Sequence, residues 1–442
     1  MKHVVAEVRL WGEQVGALAY DQRTGICVFE YAPEWITLGM SIAPLTLPLP
    51  QQAGILTKYS FPHLNKDTFR GLPGVFADAL PDDFGHAVID AWLARQGRDV
   101  TTFTAVERLL YTGTRGMGAL EFMPGIARQL PVDESLEMAQ LVNMAQHILD
   151  QRAGLSESVN AGAELDAMQA ILQVGTSAGG ARAKAVIAIN RSRTEIRSGQ
   201  VPAPAGFEHY LLKFDGVEEQ LTHKETFGDP KGYGRMEYAY YLMAKAAGIH
   251  MAHCELLEEG GRAHFMTRRF DRAGNQKLHY LSLCGMAHAD YKKPGAYSYE
   301  ALFGVARQLR LSRAEAIELY RRMVFNVVAR NHDDHSKNFG FLKADLNASW
   351  QLSPAFDVAY SYRADSPWVS SHQLSINGKR DGFERADLLA VGKQINHFRE
   401  AGSIIEEVTD VVSSWPDYAA QAGVEPGFMA AIQNQHRLYL TR

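Results

Sequence analysis

Asn331-His332-Asp333-Asp334-His335-Ser336-Lys337-Asn338, with Phe356-Asp357 a short way downstream, is the stretch on which the reading of this chain turns. An Asp, an Asn five residues later and a second Asp beyond a short strand-like segment is the set that phosphoryl transfer to a hydroxyl needs. The first carboxylate can orient a hydroxyl and accept its proton. The Asn and the second carboxylate can hold magnesium against nucleotide phosphates. Four residues, Asp334 to Lys337, separate Asp333 from Asn338. That is the spacing between base and Asn in the catalytic loop of protein kinases, although the letters between them differ.

The same letters admit other chemistry. Histidines and carboxylates bind divalent transition metals, so His332, Asp333 and His335 also fit a metal-dependent phosphohydrolase. A polar helix end with no chemistry is the plainest alternative, and short motifs match by chance often.

Working outward, the segment before the motif reads as a buried helix. Ser312-x-x-Glu315 forms a capping box. Ile317, Leu319, Tyr320, Met323, Val324, Val327 and Val328 then cover more than one helix face. Helices are expected again from Arg385 to the end, broken at Trp415-Pro416 and Pro426. Residues 1–50 read instead as short strands separated by turns at Gly12-Glu13 and Arg23-Thr24-Gly25. Ala43 to Pro50 is too proline-rich for a central strand. Phe76 to Gln96 reads as a helix interrupted early by Pro81 and Gly85, and 131–155 as a polar linker helix. Short strands are expected at Ala185–Ile189, His209–Phe214 and Ala263–Thr267, with a helix from Arg235 closed by Gly248.

Two further segments fit either an anionic ligand or plainer roles, a simple turn and a solvent-facing strand lysine. Val174 to Lys184 carries Gly175, Gly179 and Gly180, which let backbone N–H groups approach phosphates. The residue after Gly180 is Ala181, so this is not a Walker A loop. Thr176 and Ser177 place hydroxyls in the same turn. Lys213 sits inside the apolar run Tyr210-Leu-Leu-Lys-Phe214, where alternation puts Leu211 and Lys213 on one face and Leu212 and Phe214 on the other. A strand lysine so placed meets either solvent or an anion, and kinases use one on ATP phosphates. Glu237 is a candidate partner for such a lysine. Thr267-Arg-Arg-Phe-Asp-Arg272 ends the last of those strands and can offer backbone groups to an adenine.

Composition narrows the class. With 442 residues, 46% hydrophobic and 21% charged, the chain is that of an ordinary globular enzyme of two or three domains. A net charge of −5 gives no support for a nucleic-acid binder driven by overall basicity. Cys27, Cys254 and Cys284 are isolated, with no metal-ligand spacing. MKHVVAEVRLWG lacks a signal-peptide core, and no apolar run reaches the ~18 residues of a membrane helix. A soluble, cytoplasmic protein is therefore expected.

Taken together, these segments resemble the HipA-like serine/threonine kinases, toxin components of type II toxin–antitoxin modules. The likeness runs through Val15-Gly-Ala-Leu18, Phe29 to Trp35, Pro44 to Leu49 and Ala79-Leu-Pro-Asp82. It continues in the Gly-rich loop, the strand lysine, Arg269-Phe-Asp-Arg272, Asp333 to Asn338, Pro354-Ala-Phe-Asp357 and Leu374 to Gly378.

The resemblance implies an α+β, two-lobed protein-kinase-like fold. An N-terminal α/β subdomain (1–125) would precede a strand-rich nucleotide-binding lobe (126–270) and an all-helical catalytic lobe (271–442). It implies ATP and Mg2+ as cofactors. It assigns Asp333 as catalytic base and Asn338 and Asp357 as magnesium ligands. Ala178, Gly179, Gly180, Ala181, Arg182, Ala183 and Lys184 would cover the phosphates. Lys213, His335 and Lys337 would contact the nucleotide, and Arg268, Arg269 and Phe270 would form the adenine hinge. Ser177 matches the family's inhibitory autophosphorylated serine. Arg268 and Met236 depart from the family pattern, which carries an acidic residue and an asparagine there.

By the same analogy the substrate is a protein, an aminoacyl-tRNA synthetase being the family's example. The partner is a HipB-like helix-turn-helix antitoxin, with DNA reached mainly through it and no membrane involved. A pseudokinase acting as a co-repressor scaffold is a further alternative.

Overall fold

The structure is a computed structural model that describes residues 4–50, 57–125, 136–152, 182–218, 228–229 and 231–441. The chain divides into two compact units. One comprises Met1–Gly234, Glu255–Tyr280 and Ala344–Leu346; the other comprises Arg235–Cys254, Leu281–Lys343 and Asn347–Arg442. The α+β class expected from the sequence is what the structure has.

The first unit is built on two five-stranded sheets. In the first sheet the order is Lys58–Tyr59, Ile26–Tyr31, Glu13–Asp21, Val4–Leu10 and Leu120–Met123, antiparallel throughout. Alternation fits this arrangement: Ala6, Val8 and Leu10 are fully buried, while Val5 is exposed. The proline-rich stretch after Ile42 is a loop, pinned by an isolated bridge between Ala43 and Leu47.

The second sheet runs Cys254–Glu259, Arg262–Arg268, Phe207–Lys213, Lys184–Asn190 and Ile196–Ser198. Its first two strands are joined by Gly260-Gly261, with φ of 57° and 72°. Two consecutive positive φ values make the two-residue hairpin turn that glycines occupy without strain. One face of this sheet, with Ala185, Ile187, Ile189, Tyr210 and Leu212, packs into a core with Leu141, Val142, Ala145 and Ile148 of the Met138–Arg152 helix.

The structure departs from the sequence pattern at two helices. The segment read as a polar linker helix over 131–155 is a helix at Met138–Arg152 whose apolar side is core, so it is an integral part of the unit. The helix expected over Phe76–Gln96 is two helices, Gly74–Asp78 and Asp83–Arg95. Asp82 caps the second, accepting from the Gly85 N–H at 2.6 Å.

The second unit is mainly helical. Its centre is Arg313–Val328, opened by the Ser312–Glu315 capping box, with Leu319, Tyr320, Met323, Val324, Val327 and Val328 fully buried. Ala401–Ser413, Trp415–Ala422 and Pro426–Gln433 follow later in the chain. The unit is not purely helical. A hairpin of Gly340–Lys343 with Gln351–Leu352 falls between Asn338 and Asp357, where the sequence already read as strand-like. All three cysteines are buried and unbridged.

Candidate functional site

The central helix stops in a way that delivers the Asp333 segment. Arg330 takes the left-handed conformation at φ 58°, and the Asn331 N–H returns to the Asn326 carbonyl at 2.9 Å. This is the six-to-one bond of a Schellman ending, here with an arginine in the position glycine usually takes. The chain then runs to a single 3-10 turn, Ser336–Asn338. Ser336 anchors that turn by donating to the Ala289 carbonyl at 2.6 Å.

Asn338 folds back on the loop, its Nδ2 donating to the Asp333 carbonyl at 2.7 Å. That bond uses the donor end of the amide and leaves Oδ1 as the acceptor end. Asn338 and Asp357 line the same cavity, together with Asn331 and Asp334. Asp357 sits at φ 52°, a left-handed backbone that aspartate tolerates better than most residues but that still stores strain. The Oδ1 of Asn331 is buried without a hydrogen-bond partner. The cavity thus offers carboxylate and amide oxygens and no sulfur. Magnesium selects such a donor set, using one or two carboxylates and completing its shell with water and phosphate oxygens. The residues therefore fit a magnesium–nucleotide ligand.

Asp333 itself is more open, its side chain 37% exposed. Its Oδ1 accepts from the indole N–H of Trp368 at 2.9 Å and lies 3.6 Å from His335 Nε2. Tyr291 stacks near His335, with ring centroids 5.4 Å apart, and Lys337 Nζ lies 4.8 Å from the Tyr291 ring. The carboxylate is thus fixed at one oxygen while remaining reachable.

His332 is not placed as a metal ligand. Its Nδ1 lies 3.1 Å from the Val369 carbonyl and its Nε2 3.3 Å from Arg437, so both ring nitrogens are engaged. Among the described residues, no group of three or more His, Cys, Asp or Glu could hold a metal ion.

Of the other sequence-derived candidates, Glu237 is buried in the second unit and the rest fall in the first. Ser177, Ala178, Gly179, Gly180 and Ala181 lie outside the described residues. Arg182 stacks over Tyr233 at 5.6 Å, and Ala183 is buried. Lys184 and Lys213 are direct partners across antiparallel strands, and Lys213 is in turn opposite Phe265. Direct partners share a sheet face, and both lysines are buried. Lys184 pairs with Asp82, whose Oδ2 lies 3.0 Å from its ammonium, with both side chains under 5% exposed. Burial pushes the Asp82 carboxyl up to about 6, against the pull of Lys184. The Lys213 ammonium lies 5.8 Å from the Phe265 ring.

At the end of that strand, Arg268 pairs with Glu208 at 3.2 Å. The Arg269 N–H donates to the His209 carbonyl at 2.9 Å, so that backbone group is already used within the sheet. The Arg269 guanidinium grips Asp271 at 2.6 and 2.8 Å. Burial would raise the Asp271 carboxyl, but Arg269 and Arg272 beside it hold it well below the usual range. Phe270 packs on Tyr280, with centroids 5.5 Å apart. The side chains of Arg268, Arg269 and Phe270 are therefore each held by a neighbouring residue.

Sequence reasoning missed Trp368, Asp82 as the partner of Lys184, and the residues behind the loop. Asp82 had a signal, since it closes the Ala79-Leu-Pro-Asp82 motif. Trp368 had none.

What these parts define is a mixed α+β protein whose helical unit gathers an Asp-bearing loop, an Asn and a second Asp beside one polar cavity. Two family models match. The HipA N-terminal domain covers residues 6–123 and the HipA-like C-terminal domain covers residues 176–415. The chain belongs to the HipA-like family. Among solved structures it is similar to a chain of the Shewanella oneidensis MR-1 complex of HipA, HipB and operator DNA, a toxin–antitoxin system. Identity there is 17% and the TM-score 0.61, over 97% of this chain and 95% of that one. The proinflammatory kinase CtkA of Helicobacter pylori aligns at 12% identity and a TM-score of 0.32, over 53% of this chain and 89% of that one. No curated protein matches the chain.

Proposed function

We propose that the chain is an ATP- and magnesium-dependent protein serine/threonine kinase acting as a growth-arrest toxin. The observation that carries this reading is the pairing of Asn338 and Asp357 on one cavity, with the amide of Asn338 bonded back to the residue that bears the base. In this reading Asp333 receives the proton of the acceptor hydroxyl, with Trp368 fixing one of its oxygens. Asn338 and Asp357 hold the cation through oxygen. Lys213 would reach the nucleotide phosphates, residues 178–184 would cover them, and His335 and Lys337 would contact the nucleotide. Arg268 to Phe270 border the adenine. Bound magnesium supplies charge neutralisation of the phosphates, and ATP supplies the transferred group.

The three-part division at 1–125, 126–270 and 271–442 belongs to this reading, as does a cytoplasmic location. No described helix is long and apolar enough to cross a membrane. The Shewanella complex contains HipB and operator DNA. By analogy the partner is a HipB-like helix-turn-helix antitoxin that carries the chain to DNA. The substrate is a translation enzyme such as an aminoacyl-tRNA synthetase. Phosphorylation of Ser177 would place a dianion beside the nucleotide phosphates, and like-charge repulsion would then weaken ATP binding.

Calorimetric titration with ATP tests the reading. Magnesium is expected to tighten binding to the wild-type chain, and Asp357→Asn is expected to lose most of that gain. Induced expression of the wild-type chain is expected to arrest bacterial growth, and Asp357→Asn to permit it. Binding indifferent to magnesium, or arrest by both chains, would overturn it.

A further inference from the structure

Behind the Asp333 loop lies a buried polar layer to which phosphotransfer assigns no task. The Asp334 side chain is fully buried. Three donors converge on its carboxylate: the Tyr299 hydroxyl at 2.8 Å, His372 Nδ1 at 2.8 Å and the Gln373 N–H at 2.7 Å. Burial pushes this carboxyl up to about 7, while the donors pull the other way. The His372 ring lies against that of His332, with centroids 4.1 Å apart. Both imidazoles turn Nε2 toward one guanidinium, that of Arg437, at 3.0 Å for His372 and 3.3 Å for His332. Arg437 is 1% exposed. It also donates to the Val327 carbonyl at 3.0 Å and pairs with Asp381.

An arginine side chain has donors only and stays protonated. Each Nε2 that meets it must therefore be the bare, accepting nitrogen, and each imidazole proton must sit on Nδ1. That is the tautomer in which His372 donates to Asp334 and His332 donates to the Val369 carbonyl. His332 and Asp334 are the chain neighbours of Asp333. Val369 is the chain neighbour of Trp368, whose indole holds the Asp333 carboxylate. One guanidinium thereby sets the direction of the hydrogen bonds on both sides of the Asp333–Trp368 contact. We propose that Arg437 is a positioning residue: by holding His332 and His372 as Nδ1–H tautomers, it aims Asp333 and Trp368 at each other. Its consequence for catalysis rests on the kinase reading above; the tautomer assignment does not.

The site of Arg437 strengthens the case. It lies beyond residue 415, where the match to the family's C-terminal domain ends, yet it bonds directly to both histidines. A buried arginine that only filled space would leave the imidazole protons undetermined.

The test uses the full chain labelled with 15N at histidine. Long-range 1H–15N correlation at pH 7.5, assigned with His332→Gln and His372→Gln, is expected to show both rings neutral with the proton on Nδ1. An Nε2–H tautomer at either ring overturns the proposal. Arg437→Met removes every donor and keeps the apolar stem. It is expected to lower kcat for ATP-dependent phosphorylation at least tenfold, to keep KM for ATP within twofold, and to shift at least one ring toward Nε2–H. Wild-type kcat in Arg437→Met overturns the proposal. Should that variant fail to fold, the wild-type tautomers decide alone. Should the wild-type chain transfer no phosphate, the kinase reading fails, and the tautomers still confirm or overturn the Arg437 assignment.

Discussion

Trp368 donates its indole N–H to Oδ1 of Asp333 across 2.9 Å, although 35 residues separate them in the chain. A carboxylate meant to take a proton must present one oxygen in a fixed direction, and this bond fixes the other. Trp368→Phe keeps most of the ring and removes the donor. A hydrogen bond to a charged group contributes about 1.5–3 kcal/mol. Trp368→Phe is therefore expected to slow ATP-dependent phosphorylation about ten- to a hundredfold, with ATP affinity unchanged. Steady-state kinetics of the purified variant checks this, and an unchanged kcat would show that Asp333 is held by other means.

Asp82 does two jobs in the first unit, capping the Asp83–Arg95 helix and neutralising buried Lys184. Breaking a buried ion pair from one side typically costs about 3–5 kcal/mol. Asp82→Ala is expected to lower stability by about that much in urea unfolding. Asp82→Asn keeps an acceptor for the Gly85 N–H and is expected to lose less. Equal stability of wild type and Asp82→Ala would mean that the pair contributes nothing.

Acid should weaken the fold through its buried histidines. Burial lowers His264 and His436 from 6.5 to about 4, and it holds His372 well below its usual range. These rings are neutral in the fold, whereas the unfolded chain takes up protons below pH 6.5. Their contribution is whole above pH 6.5 and is lost as pH falls toward 4, on the order of 3 kcal/mol each for His264 and His436. Tm is expected to fall steadily between pH 6.5 and 4.5, less steeply in His436→Gln. A flat profile over that range would count against these shifts.

The elements that carry their own local signals were the ones legible in the sequence. The helix ending before Asn331 announced itself by its capping box and apolar faces. Alternation assigned Lys213 to the face opposite Leu212 and Phe214, and the structure puts Leu212 and Phe214 in the core. The helix at Met138–Arg152 was misjudged as a linker because its apolar residues are diluted by polar ones, and burial depends on what packs against it. The site divides in the same way. The candidates Asp333, Asn338 and Asp357 stand out in the sequence because their spacing is local and chemical. Trp368, His372 and Arg437 are not, because each reaches the loop through a distant contact that no periodicity encodes. Arg437 falls in an unremarkable run, His436-Arg437-Leu438, and only its burial reveals it.

If Asp333 is the base of a phosphotransfer reaction, label transfer from ATP must depend on its carboxylate. The purified wild-type chain and Asp333→Asn are each incubated with magnesium and γ-labelled ATP, with label transfer to protein followed over time. Asp333→Asn changes one half-exposed side chain, so its Tm should match that of the wild type. Loss of a positioned proton acceptor is expected to slow transfer on the order of 10²–10⁴-fold while ATP still binds. Transfer by Asp333→Asn at the wild-type rate would show that Asp333 is not the base.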